Sequence, residues 1–246
     1  MRGRAKSRQA ANGDGMIPRI FIGYDERESV AYHVLAHSIM RRSSMPVSIT
    51  PLIRSQLMKS SIYTRERGPL ESTDFSMTRF LVPYLCGYEG YALFVDCDIL
   101  CQMDVMQIFR LAESSPGHAL WVAKHDYLPT TATKFLGHAQ TAYPRKNWSS
   151  VMLFRNTQCQ ALTPWYVSQA SGQDLHRFAW LRPSQTIGDL PLEYNWLVGE
   201  YADRPDAGML HYTLGGPWFD ETKHCPQADL WTAERDAMLR APCPIS

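Results

Sequence analysis

Short apolar runs alternate along the chain with stretches in which apolar residues recur every three or four positions. PRIFIGY (18–24) reads as a strand: Ile20 and Ile22 alternate with Phe21, and Gly23 ends it. In ESVAYHVLAHSIMRRS (28–43), Val30, Val34, Leu35 and Ile39 fall near one face of a helix, and Arg41 and Arg42 occupy its last turn, where cations suit the dipole. PVSITPL (46–52) is a second strand. Strand, helix and strand together open an α/β sheet.

Residues 54–75 are polar and without a clear period, which predicts a long loop, functional or mobile. SMTRFLVPYLC (76–86) resumes a helix, capped by Asp74 or Ser76 and kinked or ended by Pro83. YALFVDCD (91–98) is a strand whose run from Ala92 to Val95 suits burial on both faces. A helix over 104–115 starting at Asp104, strands over 119–126 and 150–155, and a helix over 163–171 with Thr163 as cap and Pro164 at its first position complete the pattern. The fold class expected is α/β, a mostly parallel Rossmann-like sheet flanked by helices. Beyond 172 the chain is rich in Trp, Pro and Gly, so its last third is expected to be irregular.

The chain has 246 residues, 45% of them hydrophobic and 20% charged, enough to bury one full core. A single domain over 16–246 is expected. The formal net charge of +1 gives no reason to expect a nucleic-acid partner. Residues 1–15 carry Arg2, Arg4, Lys6 and Arg8 against Asp14 alone, and read as a disordered basic tail without the apolar core of a secretory signal. No window reaches the roughly 18 apolar residues of a membrane helix. Peripheral membrane contact stays open. The six cysteines form no C-x-x-C pair and read as reduced packing thiols, which with the absent signal suggests the cytoplasm.

The chemistry concentrates in YALFVDCDILCQMD (91–104). Side chains at i and i+2 of a strand share a face, so Asp96 and Asp98 converge while Cys97 points away. They sit where the strand ends, the edge at which open α/β sheets bind ligands. Two buried like charges are costly unless something compensates. A divalent cation would do so, and could bridge to a diphosphate. The plainer alternative has Asp98 capping the next turn and Asp96 paired with a basic residue.

RFLVPYLCGYEGYALFVDCDILCQMDVMQIF resembles the core signature of family 8 of the retaining glycosyltransferases, in which an R-F-L-x-P helix leads into Y-L-D-S-D-I-L. Three further stretches resemble that family in the right order. IFIGYDERESVAYHVLAHSI is similar to its nucleotide-binding first strand and helix. WSSVMLFRN is similar to its F-N-S-G-V-M-L, and HYTLGGPWF (211–219) to its H-x-x-G-x-x-K-P-W. The likeness spans roughly residues 17 to 220, and order and spacing carry it more than any single motif.

The resemblance implies a GT-A fold, a nucleotide-sugar donor (usually UDP-linked) and Mn2+, with Mg2+ as second choice. It implies Asp96, Asp98 and His211 as metal ligands, and an imidazole beside two carboxylates favours the softer ion. The implied donor-binding set is Tyr24, Asp25, Arg79, Asp96, Cys97 and Asp98. Tyr24 offers a ring to the base, Asp25 an acceptor for a base N–H, and Arg79 a cation near the phosphates. Their plainer readings are a turn after the strand and, for Arg79, a surface salt bridge with Asp74. The acceptor, a glycan, lipid or small molecule, is not specified; 54–75 and 126–147 are the candidate acceptor loops.

This chain departs from the family in two places. Gly216 stands where a lysine normally holds the diphosphate, and the histidine-to-proline interval is one residue shorter. Backbone N–H groups of Gly215 and Gly216 could serve instead, or Lys223 could swing in. The D-Q-D-like stretch expected beneath the sugar is absent. Gln185 and Asp189 in LRPSQTIGDLPLEYNW are the polar groups available for that catalytic role, beside Asn147, next to Lys146, in YPRKNW. The reading is a hexosyltransferase. The alternatives are a non-catalytic nucleotide-sugar-binding protein and a haloacid-dehalogenase-type phosphohydrolase, the latter disfavoured because ILC, not Gly-Thr, follows the aspartates.

Overall fold

The computed structural model describes residues 17–68, 71–126 and 145–240. The basic tail over 1–15 and most of the expected acceptor loop over 126–147 lie outside the described residues.

The first strand, β1 (Arg19–Tyr24), runs through a single 3-10 turn (Glu26–Glu28) into α1 (Ser29–Arg42), which buries Ala31, Val34, Leu35 and Ile39. β2 (Ser48–Ile53) returns parallel to β1. Residues 54–75 are not wholly loop: α2 (Arg54–Lys59) opens them, anchored by buried Leu57. The expected helix over 76–86 divides into a 3-10 turn (Thr78–Leu81) and α3 (Val82–Leu85). Pro83 starts the α-helical turn rather than ending one, because a helix's first turn does not need the missing N–H. Neither Asp74 nor Ser76 caps it.

β3 (Tyr91–Val95) lies parallel to β1 with Ala92 to Val95 buried, as its apolar run requires. Then come β4 (Ile99–Cys101), α4 (Met106–Ser114), β5 (His118–Ala123), β6 (Val151–Arg155), α5 (Pro164–Gln169) and α6 (Gly172–His176). Asp104 Oδ1 accepts from Met106 N and fixes the start of α4. Thr163 caps α5 through Tyr166 N. β7 (Thr186–Leu190), β8 (Trp196–Leu197), β9 (Met209–His211) and α7 (Ala228–Leu239) follow.

Six strands form one sheet in the order β2-β1-β3-β6-β5-β7. Only β6 runs antiparallel to its neighbours, so the sheet is mostly parallel, with a mixed α/β architecture. The C-terminal third is more regular than expected. β9 and β8 join β4 in a second, three-stranded sheet, and α7 packs on α1, buried at Trp231 and Glu234. Glu234 accepts from Arg42 Nη2 at 2.7 Å and faces His37 Nδ1 at 2.7 Å, tying the two helices together. No helix among the described residues is long and apolar enough to cross a membrane. Cys86, Cys97, Cys101, Cys159 and Cys225 are free thiols.

Candidate metal and donor site

Registers across the large sheet locate one edge. Ile22 lies beside Val95, and Val95 beside Val151. The chain therefore leaves β1 and β3 on the edge where β6 begins. Asp96 follows directly, its backbone N–H donating to Ser150 O at 2.9 Å. Asp98 is carried two residues further, just before β4.

The small sheet supplies the third group. β9 runs antiparallel to β4 with His211 opposite Ile99, and Tyr212 N donates to Asp98 O at 2.9 Å. His211 Nε2 thus lies 3.3 Å from Asp98 Oδ1. Ligand atoms of Asp96, Asp98 and His211 all fall within 4.8 Å of one another.

The hydrogen-bond network sets the imidazole tautomer. Asn195 Nδ2 donates to Asn147 O at 3.0 Å, which leaves Asn195 Oδ1 to face His211 Nδ1 at 2.8 Å. That oxygen can only accept, so the proton sits on Nδ1 and the lone pair of Nε2 faces the carboxylates. Asn195 belongs to the LEYN segment but stood out by no sequence pattern. It is fully buried, as a ligand-orienting group should be. Asn147 takes part through its carbonyl, from a left-handed backbone conformation (φ 62°).

Asp96 and Asp98 differ in setting. Asp96 Oδ1 is 2.7 Å from Arg79 Nη1, and Arg79 also donates to Ser149 O and lies over the Phe75 and Phe94 rings. Arg79 is therefore buried beneath Asp96. It is neither a surface partner of Asp74, which pairs with Arg67, nor a cation open to phosphate. Burial raises the Asp96 pKa; the Arg79 charge opposes this, Asp98 adds to it and His211 opposes it, and the net direction is upward. Two converged carboxylates and one correctly protonated imidazole suit a divalent cation, which would relieve the remaining repulsion.

Among the residues expected to hold the donor, Tyr24 is half-buried and edge-on to Tyr32 at 5.5 Å. Asp25 cannot serve as a ready acceptor. Its oxygens take Arg27 N, Arg27 Nε, Arg27 Nη2 and Asp74 N, as the cap of the following turn. Burial pushes its pKa up, but these hydrogen bonds outweigh it and hold the group below the usual aspartate value. Cys97 points into the core, and burial, then the charges of Glu28, Asp98 and Asp96, push its thiol well up. Its side chain has no path to a ligand.

Gly215 spends its N–H on Tyr212 O, and its φ of 108° is one that L side chains rarely adopt. A Cβ on Gly216 would meet the Trp218 ring at 2.0 Å, so this glycine exists for the indole to pack against it. Lys223 is exposed. Gln185 precedes Thr186, which pairs with His118 at the start of β5. That is the opposite end of the strands, about 13 Å from the edge bearing Asp96. There it closes a local turn on Arg182 N and Gln158 O. Asp189 is exposed and paired with Lys124 at 2.9 Å. The structure brings Asp96, Asp98, His211 and the Asn147 carbonyl together, and leaves Gln185 and Asp189 outside the cluster.

Two further groups at this edge escaped sequence reasoning. His125 follows β5 with Nδ1 2.9 Å from Tyr201 Oη; burial first, then the His211 charge, lowers its pKa to about 3. Glu28 is buried, and burial, then the charges of Asp98 and Asp25, hold its carboxyl well above the usual range.

The sequence is 45% identical over 243 residues to Protein CDI of Arabidopsis thaliana, covering 95% of this chain and 93% of that protein. The chain belongs to the Protein CDI family. No model of a protein family matches it. As a CDI-family member it is also similar to solved glycosyltransferases. WbbM, a bifunctional glycosyltransferase in its apo form, matches at a TM-score of 0.61 and 16% identity, over 94% of this chain and 52% of WbbM. The glycosyltransferase GlyE of Streptococcus pneumoniae matches at 0.57 and 15%, over 92% and 61%. The galactosyltransferase LgtC, in complex with donor and acceptor sugar analogues, matches at 0.53 and 11%, over 91% and 97%. The CDI-family chain thus spans about half of WbbM and three-fifths of GlyE. At such identities the likeness is one of fold, and the fold is of the GT-A type.

Proposed function

We propose that this protein transfers a hexose from a nucleotide sugar, UDP-linked, to an acceptor hydroxyl, with metal assistance and retention of anomeric configuration, as in glycosyltransferase family 8. One observation carries the reading: Asp96, Asp98 and His211 meet at the ligand-binding edge of a GT-A sheet, with the imidazole held in the ligating tautomer.

Asp96, Asp98 and His211 would hold Mn2+, which when bound supplies Lewis-acid stabilisation of charge on the departing diphosphate. The chain's own residues then have separate tasks. Arg79 fixes the Asp96 carboxylate from below, and Asn195 fixes the His211 ring. Tyr24 borders the base. Burial of Asp96 and His211 keeps water from the reacting centre. Gln185, at the opposite strand end, takes no part.

Thermal unfolding with a panel of UDP-sugars tests this directly. UDP-hexoses are expected to raise Tm with Mn2+ and not with chelator. No shift from any nucleotide, with or without the ion, would overturn the reading. Binding of UDP and Mn2+ without sugar transfer or donor hydrolysis would favour a non-catalytic nucleotide-sugar-binding protein.

A further inference from the structure

At the strand ends opposite the metal site, large apolar side chains face solvent: Ile17, Met40, Met45 and Leu239 are 51%, 58%, 51% and 71% exposed. The backbone gathers them at one rim. α1 returns from the metal edge, so its C-terminus and the link into β2 lie beside the start of β1. Ser48 N donates to Pro18 O at 2.9 Å there, which sets Ile17 next to the link that carries Met45. Met40 stands in the last turn of α1, three residues after His37. α7 starts near the small sheet, where Tyr212 Oη donates to Gln227 O at 2.8 Å. Midway along α7, Glu234 meets His37, Arg41 and Arg42. The helix therefore runs on to the same rim, with Leu239 about 7.5 Å beyond Glu234.

Apolar tips and guanidiniums alternate here. Arg41, exposed, follows Met40, and Arg240, exposed, follows Leu239. Arg110, also exposed, donates to Ser44 Oγ at 2.9 Å, next to Met45. The carboxylates of this corner are engaged. Glu234 is buried under Arg42 and His37, Asp104 accepts from Ser44 and Arg110, and Asp236 accepts from Arg235. The chain that enters at Ile17 adds charge of the same sign, with Arg2, Arg4, Lys6 and Arg8 against Asp14 in its first 15 residues.

This interleaving selects the occupant. A stable interface between proteins has a continuous apolar centre from which charge is depleted. Separate apolar tips, each beside a cation, suit a bilayer surface instead. The tips enter the boundary of the acyl chains while the guanidiniums meet the charged groups of the lipids. We infer that this rim docks the protein on an anionic membrane surface, with Ile17, Met40, Met45 and Leu239 set among the headgroups and Arg41, Arg110 and Arg240 on their charges. Docked in this way, the metal edge faces away from the bilayer, at the other ends of the same strands.

Co-sedimentation of the full chain with vesicles tests the inference. Vesicles of phosphatidylcholine with phosphatidylserine are expected to bind it about tenfold or more tightly than vesicles of phosphatidylcholine alone, and the binding should weaken as salt rises. Met40→Ser with Leu239→Ser is expected to lower partitioning onto the serine-lipid vesicles about tenfold. Arg41→Gln with Arg240→Gln should lower it by about as much. All four residues are exposed, so each double variant is expected to keep the wild-type Tm; if the serine pair does not, the glutamine pair carries the comparison alone. No binding to the serine-lipid vesicles, or equal binding to both kinds, would overturn the inference. So would binding that survives both double variants, which would leave only charge adhesion by the first 15 residues. A dimer seen by sedimentation velocity without lipid, and dissociated by the serine pair, would assign the rim to a second copy of this chain and overturn it as well.

Discussion

Asn195 Oδ1 accepts the Nδ1 proton of His211 at 2.8 Å, and this one contact turns the other ring nitrogen toward Asp98. A histidine free to exchange tautomers would offer its lone pair to the cation only part of the time. Asn195→Ala is expected to weaken Mn2+ binding by about 10–100-fold, measured by electron paramagnetic resonance of free manganese. Unchanged affinity would show that the ring is oriented by packing alone.

Asp98→Asn is expected to remove the manganese-dependent part of the UDP-induced Tm rise while leaving the Tm without ligand close to that of the wild type. Asp98 keeps part of its side chain open to solvent, so its loss leaves no large buried charge behind. Retention of the full manganese-dependent rise would show that the ion sits elsewhere.

Arg79→Met should act on the fold. It strips the 2.7 Å partner from a buried Asp96 and is expected to cost about 3–5 kcal/mol in chemical denaturation. Arg79→Lys should recover little of this, because a lysine cannot reach both Asp96 and Ser149 O while stacking between Phe75 and Phe94. A loss under 1 kcal/mol for Arg79→Met would deny the pair its structural role.

Glu234→Gln tests the clamp between α1 and α7. Burial raises the Glu234 pKa, but the Arg42 hydrogen bond and charge, then His37, outweigh it and hold the group below its ordinary 4.5. A depressed carboxylate contributes stability above its unfolded value and loses it as pH falls through the lower folded one. At pH 7 the substitution is therefore expected to cost about 1–2 kcal/mol, kept modest by the partial exposure of Arg42 and His37. The gap between the two proteins should narrow as pH falls below 4.5. A gap constant from pH 7 down to acid would show that the charge does not matter.

The sequence made some of this legible and hid the rest for physical reasons. The apolar runs of β1, β3 and β6 read as strands because strands buried on both faces are apolar throughout. The reversed direction of β6 left no trace, since an apolar run reads alike either way. Residues 54–59 are too few to display a helical period. In α7 the buried face pairs Trp231 with Glu234, and a charged residue on the inner face erased the amphipathic stripe. At the site, Asp96, Asp98 and His211 were legible through their motifs. Glu28 was not, because DERE looks like a solvated turn until the GGPW segment folds over it. Gln185 was misplaced because nothing in the sequence tells which end of β7 faces the metal cluster.

The pairing of β9 with β4 has a consequence for how such a site tolerates change. His211 is held opposite Ile99, one step past Asp98, so the span from imidazole to carboxylate is measured across a ladder rather than along the backbone. The segment after His211 can then change length without moving the imidazole away from Asp98. A one-residue slip inside Ile99–Cys101 would instead turn the imidazole to the far side of the small sheet. Evolution is free to edit the loop and not the ladder.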